Sequence, residues 1–132
     1  MKKLILLSFL FVYSIFASEV KWQEDFASAS VMAKRQNKPI YVFLSAAECP
    51  WCAKFENEVL TDKKIIAILN KNFINVHLVR DFDTIPSMFK LRPVPRHYFL
   101  DKDSKIILHD LGYREVSEFK EELNMLLKEI NK

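Results

Sequence analysis

The strongest constraint in this chain is the junction of two short segments. Ile40-Tyr-Val-Phe-Leu44 is an unbroken run of mostly β-forming residues with no polar alternation. Such a run predicts a strand covered on both faces, the usual state of a strand inside a parallel sheet. Four residues later comes Cys49-Pro-Trp-Cys52, and from Pro50 to Leu60 the pattern turns helical, with Cys52, Phe55 and Val59 at spacings of three and four. Pro50 suits a first helical turn, where its missing N–H is no loss. A buried strand therefore leads into a helix that begins on a cysteine pair.

That placement has chemical consequences. A sulfur at a helix N-terminus faces unpaired backbone N–H groups and the positive end of the helix dipole, which favour the thiolate. The thiolate is the nucleophile. Cys49 is expected to be the exposed attacking thiol, and Cys52, one turn inside, the buried thiol that resolves a mixed disulfide. A permanently closed structural disulfide fits less well, because a four-residue loop gains little from closure. A metal site also fits less well. Zinc takes four ligands, the chain holds no second Cys pair, and His77, His97 and His109 are scattered. His77 and His109 read as ordinary residues in or beside strands.

The remaining elements follow from periodicity and turn chemistry. Glu24 to Gln36 predicts a helix with Phe26, Ala29 and Ala33 on one face, ended by Asn37-Lys38-Pro39. Residues 18–23 read as a tether with Trp22 tucked against the domain. A helix is expected from Asp62 to Leu69 with Thr61 as its cap, then a strand from Phe73 to Val79. Asp81 to Thr84 reads as a turn, Pro86 to Lys90 as a short helix, and Arg92-Pro-Val-Pro95 as extended. His97 to Leu100 and Ile106 to Leu108 predict two strands joined by a polar loop at Asp101–Ser104. Gly112 precedes a last helix from about Glu115 to Ile130, with Phe119, Leu123, Leu126, Leu127 and Ile130 on one stripe. The first two strands should be parallel through a right-handed crossover, and the last two an antiparallel hairpin. The expected class is α/β: a mixed four-stranded sheet flanked by helices on both faces.

Residues 1–17 read as a signal peptide. Lys2 and Lys3 precede a nearly unbroken apolar run from Leu4 to Phe16, and Ala17 offers a small residue for cleavage. Thirteen helical residues reach about 20 Å, short of the roughly 30 Å hydrocarbon core. An uncleaved anchor is the alternative, and only then would the chain touch a membrane. Both readings place the domain outside the cytoplasm, where disulfides persist. Residues 18–132 then form one domain. Without Lys2 and Lys3 there are 18 basic against 17 acidic residues, so nothing electrostatic favours nucleic acid. The single Gly cannot build a phosphate loop, and no cofactor is expected. Glu56 and Glu58 stand two apart and face different sides of their helix, so they form no carboxylate pair.

The assembly resembles the thioredoxin-like superfamily. The resemblance rests on Lys38-Pro-Ile-Tyr-Val-Phe-Leu-Ser45, Cys49-Pro-Trp-Cys52 and Phe73-Ile-Asn-Val-His-Leu-Val-Arg-Asp81. It continues through Met88-Phe-Lys-Leu-Arg-Pro-Val-Pro95, Tyr98-Phe-Leu-Asp101 and Gly112-Tyr113 before the terminal helix. In particular the chain is similar to small exported members with a helical N-terminal extension, Trp22 to Pro39, in place of the usual first strand. The resemblance implies a periplasmic thiol:disulfide oxidoreductase acting on protein thiols and disulfides through Cys49 and Cys52. It makes Pro95 the family's cis-proline, with Val94 offering backbone hydrogen bonds to an extended substrate.

The resemblance also marks departures. The buried Asp that thioredoxins carry six residues before the first Cys is Phe43 here. Glu48 replaces the usual Trp and, as a carboxylate beside Cys49, opposes its thiolate, with Lys54 near enough to compensate in part. Arg96 stands where Thr often follows the cis-proline, and reads either as a residue that steers polar partners or as a solvated charge. Pro50-Trp51 replaces Gly-Pro and is closer to exported oxidases and isomerases, with Trp51 an apolar contact for peptide partners. The direction of electron flow stays open; a reductase would need a membrane carrier as electron source. The chain has no room for an added dimerisation domain, so a monomer is expected. The competing reading is a thioredoxin-fold peptide-binding module with little catalysis, motivated by Phe43 and Glu48.

Overall fold

The computed structural model describes residues 17–132. The signal-peptide reading of residues 1–17 falls, but for Ala17, outside the described residues. Nine elements follow one another: β1 (Trp22–Gln23), α1 (Phe26–Gln36), β2 (Ile40–Ser45), α2 (Pro50–Glu58), α3 (Lys63–Asn72), β3 (Ile74–Val79), β4 (Arg96–Leu100), β5 (Ile106–Leu111) and α4 (Val116–Ile130). The strands form one sheet in the order β1-β3-β2-β4-β5. β1 and β2 both run parallel to β3, whereas β4 is antiparallel to both β2 and β5.

The sheet has five strands, not four. The segment read as a tether places Trp22 and Gln23 beside Asn75 and Val76 of β3. Asn70 of α3 fixes it there: its side chain accepts from Lys21 N at 2.8 Å and donates to Glu19 O at 2.9 Å. Two residues are too few to leave a periodicity signal, and the bonds that place them come from a helix far along the chain.

Every residue of β2 is buried, as its unbroken apolar run requires, because helices cover both of its faces. On one face Ala29 and Ala33 of α1 pack with Ile40, Val42, Leu44, Val76, Leu78, Tyr98 and Leu100. Two alanines in succession let α1 lie close to the sheet. The other face is aromatic: Tyr41, Phe43 and Phe99 from the sheet meet Phe55 of α2 and Phe119 of α4, with Ile65 and Leu69 of α3. The α4 stripe is buried at Phe119, Leu123 and Leu126.

Two local expectations are corrected. Asp62, not Thr61, caps α3: its carboxylate accepts from the N–H groups of Lys64 and Ile65 at 2.9 and 3.1 Å. The Thr61 hydroxyl instead donates back to Asn57 O at 2.6 Å and closes the end of α2. No helix forms between Pro86 and Lys90, where one turn closes by Phe89 N to Pro86 O at 3.0 Å. Phe89 is drawn into the core between Phe26 and Tyr98, with ring centroids 5.2 and 4.7 Å away. Lys90 N donates to the Tyr98 hydroxyl at 2.9 Å instead of continuing a helix.

Candidate functional site

β2 delivers the chain to the cysteine pair. Asp81, just past β3, accepts from Ala47 N at 2.8 Å and anchors the connecting loop. Cys49 is the N-cap of α2, with extended backbone, and its sulfur accepts from Cys52 N at 3.1 Å. Pro50 takes the first helical position. Cys49 and Cys52 are joined by a disulfide across a Cα–Cα distance of 5.2 Å. Cys49 is half-buried, while Cys52 is 1% exposed among Phe43 and Phe55. One sulfur is thus open to approach and the other is sealed in the apolar layer.

A groove of about 430 Å³ opens beside the pair, lined by Trp51, Pro93, Val94, Pro95, Leu111, Gly112 and Tyr113. The Val94–Pro95 peptide bond is cis, as is Arg92–Pro93. Gly112 N donates to Pro95 O at 2.9 Å, tying the proline loop to the end of β5. Gly112 has φ +96°, a left-handed conformation that L side chains rarely adopt.

Trp51 is exposed at the rim, with its ring 5.8 Å from that of Tyr113. The Lys54 ammonium lies 5.1 Å from the Trp51 ring centre and 4.8 Å from that of Tyr113, within cation–π range. Lys54 thus covers the aromatic rim. Tyr113 Oη donates to Glu58 Oε2 at 2.7 Å, and that bond, with the surrounding carboxylates, pushes the phenol up to about 12. Glu48 is exposed in the loop before Cys49.

Arg96 follows Pro95 but does not line the groove, and it is not the solvated charge that the sequence allowed. It is 5% exposed. Its Nη1 donates to His109 Nε2 at 2.6 Å and its Nη2 to Arg92 O at 2.7 Å. The antiparallel hairpin brings His109 within reach, and the guanidinium braces the proline loop from beneath. A role in steering partners would need a side chain that is free to meet them.

Sequence reasoning missed the polar contacts of three groups here, the buried His97 and the partly exposed His77 and Glu56. His97 is fully buried and joins Tyr41 to Gly112. His77 Nε2 lies 2.6 Å from Ser45 Oγ, and Glu56 Oε1 lies 3.8 Å from His77 Nδ1. The only available signal was strand register, since Phe43 and His77 become partners once β2 and β3 pair in parallel. Among the described residues, no group of three or more His, Cys, Asp or Glu is placed to hold a metal ion.

A family model described as Thioredox_DsbH, protein of unknown function, DUF255, matches residues 1–90. Over 62 residues the chain is 34% identical to spermatogenesis-associated protein 20 of Rattus norvegicus, covering 47% of this chain and 8% of that protein. The chain thus spans under a tenth of the curated relatives it matches. Among solved structures it is similar to a DsbH oxidoreductase (TM-score 0.70, 19% identity, 87% of this chain and 89% of that one). It is similar also to a thioredoxin from Thermus thermophilus (TM-score 0.71, 19% identity, 83% and 88%). These likenesses show a thioredoxin fold.

Proposed function

The chain belongs to the Thioredox_DsbH family (DUF255), and from that premise we propose that it is an exported, periplasmic thiol:disulfide oxidoreductase that exchanges disulfides with protein substrates. The observation that carries this reading is the division of labour between two bonded sulfurs. Cys49 caps α2 and is open to a partner, whereas Cys52 is sealed beneath it.

In the oxidised chain a partner thiolate attacks Cys49 Sγ, and the Cys49–Cys52 bond breaks with its electron pair on Cys52. A second partner thiol then releases the reduced pair. In the reverse direction Cys49 attacks a partner disulfide and Cys52 resolves the mixed disulfide. The N-terminal dipole of α2 and the Cys52 N–H aimed at Cys49 Sγ both favour the Cys49 thiolate. Pro50 opens the helix without a competing donor. Trp51, Val94 and Pro95 form the wall against which an extended substrate chain lies, with Val94 supplying backbone hydrogen bonds. Glu48, exposed in the loop before Cys49, sets a negative charge next to it in the chain that opposes the thiolate. Residues 1–17 direct export, the domain acts as a monomer, and a membrane carrier supplies electrons if it works as a reductase.

The test is disulfide exchange with an unfolded, disulfide-bonded protein. Cys49→Ser is expected to abolish exchange, and Cys52→Ala to accumulate a mixed disulfide with the substrate. Exchange that survives Cys49→Ser overturns the reading and leaves a peptide-binding module in its place.

A further inference from the structure

Cys52 presents a chemical problem. To resolve a mixed disulfide it must lose a proton, yet it is 1% exposed and packed among apolar side chains. Burial in such surroundings disfavours the thiolate. Phe43, the sheet residue in that layer, offers a ring and no proton acceptor.

Two titratable groups approach from either side. Glu56 stands four residues after Cys52 on α2, so the two share a helix face with Cβ atoms roughly 5–6 Å apart. His77 of β3 meets Glu56 from the sheet, with Nδ1 3.8 Å from Glu56 Oε1. The His77 ring is held firmly in place. It lies 4.7 Å from the Phe43 ring and 5.6 Å from the Trp22 ring. Its Nε2 is fixed at 2.6 Å by the hydroxyl of Ser45, which is buried at the end of β2. Four elements thus converge to bring one imidazole nitrogen toward a carboxylate that stands one helical turn from the resolving thiol.

We infer that Glu56 and His77 form the proton-exchanging pair for Cys52; this inference rests on the reading of Cys49 and Cys52 as an exchanging couple. When Cys49 is bonded to a partner sulfur, Cys52 gives its proton to Glu56, and His77 steadies the shared proton. The Cys52 thiolate attacks Cys49 Sγ. The Cys49–Cys52 bond forms, the bond from Cys49 to the partner breaks, and the electron pair leaves on the partner sulfur. That sulfur is then protonated. The cysteine pair is oxidised by two electrons and the partner is reduced by two. In the opposite direction the pair returns its proton to Cys52.

The electrostatics suit the task. Burial raises the Glu56 pKa above the usual carboxylate value, which makes it a better base near neutrality. Burial lowers that of His77, opposed by the nearby charge of Asp83 in the loop after β3. The other groups facing His77 are the Trp22 and Phe43 rings and the Ser45 hydroxyl.

The test is stopped-flow reaction of the reduced full chain with dithiobis-nitrobenzoate. The first thiolate released reports attack by Cys49, and the second reports attack by Cys52 on the Cys49 adduct. Glu56→Gln is expected to slow the second release relative to the first by about tenfold or more at pH 7, and to move its pH profile to the alkaline side. His77→Gln should act in the same direction, and Glu56→Asp should recover part of the loss. Second-phase rates and pH profiles equal to those of the unaltered chain, in both Glu56→Gln and His77→Gln, overturn the proposal. An unaltered chain that releases no second thiolate overturns instead the oxidoreductase reading beneath it.

Discussion

The Tyr41 hydroxyl donates to Nδ1 of His97 at 2.9 Å, and both side chains are fully buried. On the other side of the ring, Nε2 lies 3.0 Å from Gly112 O. A carbonyl only accepts, so Nε2 carries the hydrogen and Nδ1 accepts from the tyrosine. Burial keeps the imidazole neutral near pH 7, and that leaves Nδ1 free to accept. It stacks between Tyr41 and Phe43, with interplanar angles of 9° and 13°.

This arrangement sets a pH dependence of stability. Burial holds the His97 pKa down at about 4 in the folded chain, against 6.5 when unfolded. Between those values the unfolded chain binds a proton that the folded chain refuses. The contribution is complete above about pH 6.5 and is lost progressively as the pH falls toward 4. It is on the order of 3 kcal/mol at full extent. Urea midpoints from pH 7.5 to 4 should fall accordingly. His97→Phe should flatten that decline, while costing about 1–3 kcal/mol at neutral pH by stranding Tyr41 Oη and Gly112 O.

The cap of α3 separates two neighbouring residues. Asp62→Ala removes the acceptor for two helix N–H groups and should cost about 1 kcal/mol. Thr61→Ala removes one exposed bond and should stay within about 0.5 kcal/mol. Urea midpoints at constant m distinguish them; equal losses would contradict the assignment.

Gly112 is the only glycine in the chain. A Cβ built there meets nothing nearer than Arg114 Nη1 at 3.9 Å, so space is free and the penalty is conformational. Gly112→Ala should therefore cost about 1–3 kcal/mol through its φ of +96° alone. A melting temperature unchanged by Gly112→Ala would contradict this.

Trp51 contributes apolar surface and no reacting atom. Trp51→Ala should slow exchange with a disulfide-bonded peptide severalfold and leave the rate with glutathione disulfide within about twofold, because burying an aromatic face stabilises only a complex that covers it. An equal loss with both substrates would mean that Trp51 acts on Cys49 itself.

Much of this was legible in the sequence because the signals were local. The Ile40–Leu44 run gave a strand buried on both faces and extended only by Ser45. Pro50 and the helical spacing after Cys49 placed the start of α2, and the α4 stripe survived intact. What escaped depended on distant partners. β1 exists because Asn70 bonds Glu19 and Lys21. Phe89 left its helical pattern because a hole between Phe26 and Tyr98 accepts it. Arg96 reads as a surface charge until the hairpin delivers His109. His77 reads as a strand residue until β2 and β3 pair and α2 lowers Glu56 onto it.

The most direct test of the central claim is the redox midpoint of the Cys49/Cys52 couple, measured in graded glutathione and dithiothreitol buffers by counting alkylated thiols. The account expects one reversible two-electron transition between about −120 and −270 mV, its position separating oxidase from reductase. A disulfide still closed below about −300 mV would mark a structural bridge and contradict the account.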